Sequence, residues 1–180
     1  MISTLDIRLQ EARANQLDHE QFLELLVADE IGVRGDRRIA RMLKSAGFVN
    51  LKPLSHFDWQ FNPNLNRSQF HDLATCAFIR KHADLLFIGP PGTGKTHLAQ
   101  SIGYEAIKQG LPVRYCSIFD IVREFMEEET LNNHRLLTKY LKPELLIIDD
   151  MGLKQLPKRA GEYLFEVITH FHHLFCTIFQ

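Results

Sequence analysis

The sequence predicts an α/β protein with a parallel sheet, preceded by a smaller all-helical segment. Strand-like and helix-like stretches alternate from Leu85 onward, and this alternation implies right-handed crossovers between parallel strands. The stretch "LLII" near residue 147 is apolar at every position, as expected for a strand that helices cover on both faces. Before residue 50, apolar side chains instead recur at spacings of three and four, which is typical of helices.

The first third of the chain divides into helix and connector. A helical pattern runs from about Asp18 to Phe48, and Asp18 and Gln21 stand in the positions of a capping box. The next stretch, "VNLKPLSHFDWQFNPNLNRSQ", is rich in Asn and Pro and reads as a connector that stops the helices on either side. We therefore predict a helical domain over residues 1–50, a connector over 51–66 and an α/β domain over 67–180.

The α/β domain opens with a short predicted helix and continues as three strand–helix pairs. The helix spans Arg67–Lys81. The predicted strands are Leu85–Ile88, Pro112–Ser117 and Glu144–Asp150, and the helices that follow them are Thr96–Gln109, Ile118–Glu129 and Ala160–His173. Ser117 stands where its hydroxyl can cap the second of these helices.

Composition excludes several classes of protein. The chain has 180 residues, 45% hydrophobic and 24% charged, with a formal net charge of −1, so any contact with nucleic acid must come from a local patch. No stretch approaches the length of a membrane span, and the N-terminus carries charges where a signal peptide has an apolar core. The three cysteines lie far apart. We expect a cytoplasmic protein with reduced thiols and no membrane partner.

The clearest motif is a phosphate-binding loop. Gly89-Pro90-Pro91-Gly92-Thr93-Gly94-Lys95-Thr96 matches G-x-x-x-x-G-K-[ST] in full, between a predicted strand and a predicted helix. Glycines let backbone N–H groups converge on a phosphate, and the helix N-terminus attracts the anion. We predict that Lys95 reaches the β- and γ-phosphates of a nucleoside triphosphate and that the Thr96 hydroxyl ligates Mg²⁺.

An acidic pair supports this site. Asp149 and Asp150 end the apolar strand, at the edge where a parallel sheet places its ligands. A carboxylate there can hold Mg²⁺, and a second one can polarise the attacking water. We assign the metal role to Asp149 and the role of catalytic base to Asp150.

A basic stripe lies in the helical domain. On a helix, Arg37, Arg41 and Lys44 share one face, with Arg34 and Arg38 beside them. Such a stripe can contact the phosphate backbone of DNA. An ordinary solvated helix face has the same pattern, and the residues alone leave both interpretations open.

Longer stretches resemble a known family. "FIGPPGTGKTHLAQSIGYEAIKQGLPVRYCSIFDIV" and "LLIIDDMGLKQLPKRAGEYLFEVI" are similar to the IstB-like ATPases, helpers of insertion-sequence transposases that are related to DnaC helicase loaders and to the AAA+ class. The upstream stretch "LDHEQFLELLVADEIGVRGDRRIARMLKSAGF" resembles the helical N-terminal domain of the family. The resemblance covers roughly residues 5–168.

This resemblance implies a P-loop (AAA+) ATPase domain with a three-layer parallel sheet. It also implies a homo-oligomer that uses ATP to assemble on duplex DNA, deforms that DNA and hands it to a partner transposase. The roles of Lys95, Thr96, Asp149 and Asp150 carry over from the matching motifs, and His97 joins the loop among the residues that hold the nucleotide. The favoured DNA contacts become the five residues of the basic stripe.

The sequence departs from the family at "HFHHLFCTIFQ". Family members continue into a strand with a polar sensor residue and then into helices that carry an arginine finger. From this departure we expect a truncated, incomplete sheet with an unpaired edge at Leu85–Ile88, weak nucleotide affinity, slow or absent hydrolysis, and poor solubility. Two alternatives stay open: a DnaC-like helicase loader, in which ATP gates a protein–protein contact, and an inactive remnant.

Overall fold

The structure is a computed structural model, and it describes residues 2–51, 53–63, 65–131, 136–151, 157, 160–162, 164–165 and 176–179. The chain divides into two compact units, Met1–Arg41 and Met42–Gln180. This division reflects compactness alone. It does not test the three predicted domains, which remain a prediction. Across the described ranges, every helix falls short of the length or the hydrophobicity that a bilayer-spanning segment needs.

The first unit is helical, and a second helix joins the predicted one. Helices α1 (Ile2–Asn15) and α2 (His19–Ala46) occupy it, and the last turn of α2 continues into the second unit. The predicted capping box is confirmed. The Gln21 N–H donates to Asp18 Oδ1 at 2.8 Å, and the Asp18 N–H donates to Gln21 Oε1 at 3.2 Å.

Helix α1 has no counterpart among the predicted elements. Leu5, Leu9 and Ala12 recur at helical spacing, but Ile7 breaks the apolar stripe and is 64% exposed. An ion pair joins α1 to α2, since the Arg8 guanidinium donates to both carboxylate oxygens of Asp29, at 2.8 and 2.7 Å. The same contact lowers the pKa of Asp29. A bidentate pair of this kind sets the geometry of the contact between α1 and α2. The spacing of apolar residues in the sequence does not reveal that contact.

The predicted helix Arg67–Lys81 needs correction, and the connector before it holds one short turn. A 3₁₀ turn forms at Leu54–His56, and two helices, α3 (Arg67–Ala74) and α4 (Ala77–Arg80), replace the single predicted one. The break falls at Cys76, whose φ is +59°. The Thr75 hydroxyl donates to the Asp72 carbonyl at 2.7 Å, so a side chain competes with the helical backbone there.

In the described part of the chain, a parallel sheet of four strands forms the centre of the second unit. Its strands are β1 (Leu85–Leu86), β2 (Val113–Ser117), β3 (Leu145–Asp149) and β4 (Cys176–Phe179), in the order β1-β4-β3-β2. Every pairing is parallel, as predicted. The first strand is shorter than predicted, because its ladder to β4 pairs only Leu85 with Ile178 and Leu86 with Phe179.

The strand β1 lies at the edge of the described sheet, with β4 on one side of it. The side chain of Leu86 is 64% exposed, and that of Ile88, just beyond the strand, is 85% exposed. The stretch "CTIF" forms β4 and separates β1 from β3. The expected poor solubility stays a prediction.

Helices cover both faces of the sheet and make the three layers. Helix α5 (Lys95–Lys108) lies on one face, and α6 (Ile118–Leu131) and α7 (Leu136–Leu141) lie on the other. All five residues of β3 are buried, which confirms the two-sided burial expected of an apolar strand. Leu146 and Ile148 pack with α6, while Ile147 faces Gly103 of α5.

The two remaining predicted helices agree with the structure in type. Helix α6 begins at Ile118 as predicted, and the Phe119 N–H donates to Ser117 Oγ at 3.3 Å, which confirms the cap. Residues 160–162 and 164–165 are helical. The rest of the predicted helix Ala160–His173 lies outside the described residues.

Candidate nucleotide-binding site

The phosphate-binding loop joins β1 to α5 with two glycines in left-handed conformations. Gly92 has φ +78° and Gly94 has φ +88°. Gly94 is the N-cap of α5 and offers no side chain to the first turn, so the N–H groups of that turn remain available to an anion. A Cβ at Gly94 would lie 2.8 Å from the Phe57 ring. Glycine at this position therefore serves both the backbone conformation and the close approach of the connector.

These two glycines predict different costs on substitution. Gly92→Ala should lower the free energy of unfolding by about 1–2 kcal/mol, because an L-residue is strained in the left-handed region. Gly94→Ala should lower it by roughly 1–3 kcal/mol more, because its Cβ also meets the buried Phe57 ring. Urea unfolding of both variants measures the difference. Gly89→Ala is the matched control, since its Cβ would meet Thr93 Oγ1 at an ordinary 3.5 Å; equal losses in all three variants would contradict this account.

Lys95 is the first residue of α5, and its ammonium lies over the loop. Its Nζ donates to the carbonyl oxygens of Gly89 and Pro90, each at 2.9 Å. The Thr93 hydroxyl also donates to the Pro90 carbonyl, at 2.9 Å. These contacts close the loop around a positive charge. The Lys95 ammonium is thus held directly over the loop.

The loop and the acidic strand end meet at Asp149. Thr96 Oγ1 donates to Asp149 Oδ2 at 3.0 Å, across 53 positions of sequence. The structure therefore brings together the two residues that the sequence analysis assigned to Mg²⁺. Asp150 follows with φ +64°, and its N–H donates to Asp149 Oδ1 at 2.7 Å. The backbone turn at Asp150 thus orients the carboxylate of its neighbour.

A tyrosine that the sequence analysis did not single out joins this group. Tyr115 of β2 donates its hydroxyl to Asp149 Oδ2 at 2.6 Å. Burial, together with this hydrogen bond to a carboxylate, raises the pKa of Tyr115 well above its usual value, so the phenol stays protonated. A hydrogen bond with the buried Gln100 side chain acts on that pKa in the opposite direction. The sequence signal is slight, because "VRYCS" reads as an ordinary strand.

His97 and the connector form an aromatic cluster behind the loop. The rings of Phe57 and His97 are 5.1 Å apart, and those of Phe57 and Trp59 are 4.8 Å apart. Trp59 also lies 6.0 Å from the Phe70 ring. The connector therefore packs against α3 and α5 through these rings. The His97 ring points into this cluster, and within the described part of the chain its Nε2 has no hydrogen-bond partner.

A cavity opens beside the loop. Its volume is about 590 Å³, a size typical of small-molecule sites. Polar and apolar side chains line it together, among them Asn62, Phe70, Leu86, Thr93 and Lys95. Lys95 thus forms part of the wall of this cavity.

The predicted DNA contacts all lie on α2. Arg34, Arg37, Arg38, Arg41 and Lys44 are exposed. Arg34 pairs with Glu30 at 2.8 Å, and Arg41 Nε donates to the Arg37 carbonyl at 3.3 Å. The stripe therefore presents positive charge to solvent. Glu30 of the same helix offsets part of that charge.

Comparison with known proteins identifies the family. The model of the IstB-like ATP-binding proteins matches residues 1–179. The chain belongs to this family. It is 34% identical over 158 residues to a Geobacillus stearothermophilus protein named for ATP binding in insertion sequence IS5376, which covers 87% of this chain and 63% of that protein. A Bacillus thuringiensis counterpart from insertion sequence IS232 is 32% identical over 86% of this chain and 62% of its own length. The chain thus spans less than two thirds of either relative.

Solved structures of initiators and loaders share the fold of this IstB-like chain. DnaA from Aquifex aeolicus with bound AMPPCP superposes with a TM-score of 0.64 at 22% identity, over 74% of this chain and 43% of that one. The DnaC helicase loader superposes with a TM-score of 0.57 at 21% identity, over 78% of each chain. At this identity the likeness shows the fold alone. The predicted AAA+ P-loop architecture is confirmed.

Proposed function

We propose that this IstB-like chain binds ATP with Mg²⁺ at the loop Gly89–Thr96. The contact between Thr96 Oγ1 and Asp149 Oδ2 at 3.0 Å supports this most directly, because it places the two assigned Mg²⁺ ligands together beside the loop. Hydroxyl and carboxylate oxygens are the ligands that Mg²⁺ prefers, so Thr96 and Asp149 fit the ion. When bound, Mg²⁺ supplies positive charge that offsets the charge of the β- and γ-phosphates.

Each residue of the site has a role in this proposal. Lys95 exchanges its contacts with the Gly89 and Pro90 carbonyls for phosphate oxygens. The N-terminal turn of α5, at His97 and the residues before it, donates backbone N–H groups to the same phosphates. Asp150 is the catalytic base that orients the attacking water.

We further propose that the chain is an ATP-dependent helper of DNA transposition. Family membership and relatives named for insertion sequences support this role. In the proposal, ATP binding promotes oligomerisation on duplex DNA, deformation of that DNA and its transfer to a partner transposase. A helicase-loader role has only the fold likeness to DnaC in its favour, so we prefer transposition.

The basic stripe on α2 is the proposed DNA contact. Engagement of about three to five phosphates predicts a log–log salt slope of roughly −3 to −4.5 on duplex DNA of any sequence. Replacement of Arg37, Arg38 and Arg41 by Glu should abolish most of this slope. Fluorescence anisotropy with two unrelated duplexes, from low to moderate salt, measures it.

The control for this substitution carries the same change of charge elsewhere. Arg80, Lys81 and Lys142 are exposed in the second unit, and their replacement by Glu should leave most of the slope in place. If both triple variants weaken binding alike, net charge and not the stripe governs the interaction. If neither variant matters, the stripe is a solvated helix face.

A further inference from the structure

Among the described residues, three donors hold the Asp149 carboxylate, and they come from three different parts of the second unit. Thr96 Oγ1 and the Tyr115 hydroxyl donate to Oδ2, at 3.0 and 2.6 Å, and the Asp150 N–H donates to Oδ1 at 2.7 Å. Asp149 is only 7% exposed. A buried carboxylate with its orientation fixed in this way has little freedom to adapt to an ion, so its donors decide where it points.

Of the two donors to Oδ2, Thr96 is itself an assigned ligand of Mg²⁺. Tyr115 is not an assigned Mg²⁺ ligand, because its side chain is buried between β2 and the helical layer on that face of the sheet. The ring of Phe48 lies 6.2 Å from the Tyr115 ring, and a Cβ at Gly47 would lie 2.9 Å from the Tyr115 carbonyl. The two residues that follow α2 therefore pack against Tyr115.

The register of the sheet explains why the hydroxyl reaches Asp149. Tyr115 lies opposite Ile147, and Ser117 lies opposite Asp149. Side chains two residues apart on a strand share a face, so Tyr115 and Asp149 are diagonal neighbours on the face that α5 covers. Gln100, one helical turn after Thr96, hydrogen bonds to Tyr115 from that helix.

We infer that Tyr115 is a positioning residue for the Mg²⁺ site: its hydroxyl holds the Asp149 carboxylate in the orientation that points it toward the Thr96 oxygen. The inference rests on the proposed function, since it assumes that Thr96 and Asp149 hold Mg²⁺. Without this hydrogen bond, the carboxylate rotates among orientations of which only some present an oxygen to the ion. Nucleotide binding without metal does not use Asp149 and is unaffected.

The test compares Tyr115→Phe with Tyr140→Phe in the full chain. Tyr140 is the matched control because it is fully buried and its hydroxyl donates to a carboxylate oxygen, Glu124 Oε2, at 2.8 Å, away from the loop. The probe is ATP with a fluorescent ribose substituent, titrated with magnesium chloride and, separately, in excess EDTA. Thermal unfolding of each variant is recorded alongside.

Mg²⁺ should increase the affinity for the probe, and the Mg²⁺ midpoint is the concentration that gives half of this increase. Tyr115→Phe should raise this midpoint by about tenfold, the usual effect of removing a partner of a metal ligand. Its affinity in EDTA should match that of the parent. Tyr140→Phe should follow the Mg²⁺ curve of the parent even where its thermal midpoint falls. If Tyr115→Phe also follows the parental curve, the hydroxyl serves only stability and the inference is overturned.

Two further measurements separate the possible failures. If the parent chain binds the probe no more tightly with Mg²⁺ than in EDTA, the proposed function fails and the inference fails with it. If Tyr115→Phe unfolds at the temperature of the titration, both titrations are repeated with parent and variant at a lower temperature, at which the circular dichroism of the two chains agrees. An unshifted Mg²⁺ midpoint of the folded variant would overturn the inference.

Discussion

Lys95→Ala should lower the affinity of this chain for ATP by at least about 100-fold, because hydrogen bonds from a charged donor to phosphate are among the strongest in proteins. The ammonium is held at the mouth of the loop by two carbonyl contacts of 2.9 Å, and the rest of the loop offers only neutral donors. Fluorescence titration with an ATP analogue in saturating Mg²⁺ measures the loss. Circular dichroism should be unchanged, since the two lost contacts are exposed.

Lys108→Ala is the control for this variant. Lys108 is the last residue of the same helix and pairs with Glu105, so its removal changes the net charge equally without touching the loop. Its affinity should stay within about twofold of the parent, because an exposed ion pair contributes little. Equal affinity of Lys95→Ala and the parent would rule out the nucleotide assignment.

Asp149→Asn should remove most of the Mg²⁺ dependence of nucleotide binding. We expect the Mg²⁺ concentration for half-maximal tightening to rise on the order of 100-fold, the upper end of the range for groups that support a bound metal. The amide keeps the size of the carboxylate but carries no charge for the ion. The affinity measured in EDTA should change little, because the loop and Lys95 remain in place.

Asp150→Asn separates the two acidic roles. This neighbour contacts Asp149 through its backbone N–H, which the substitution retains, so its Mg²⁺ curve should match that of the parent. If Asp150→Asn loses the Mg²⁺ dependence and Asp149→Asn keeps it, the metal and base roles are exchanged. A protein-stability screen of both variants checks that each one is folded.

Local signals account for the parts of the fold that the sequence predicted well. These signals are the capping box at Asp18 and Gln21, the Ser117 cap and the glycines of the loop. Each acts within four residues, so a short stretch of sequence is enough to predict it. The break at Cys76 was missed because a threonine hydroxyl competes with the helix there, and helical periodicity does not register that competition. Helix α1 was missed because one exposed isoleucine obscures its apolar stripe.

The sequence by itself determined the phosphate-binding loop, the acidic strand end, the parallel α/β class and the family, since each rests on residue types at fixed local spacing. Only the tertiary structure decided the strand order β1-β4-β3-β2, the contact of Thr96 with Asp149 and the place of Tyr115 beside them. The two side-chain contacts with Asp149 join residues 34 and 53 positions apart. Such contacts depend on which strands become neighbours and in what register, and that choice is made by packing of whole faces, which no short stretch of sequence encodes.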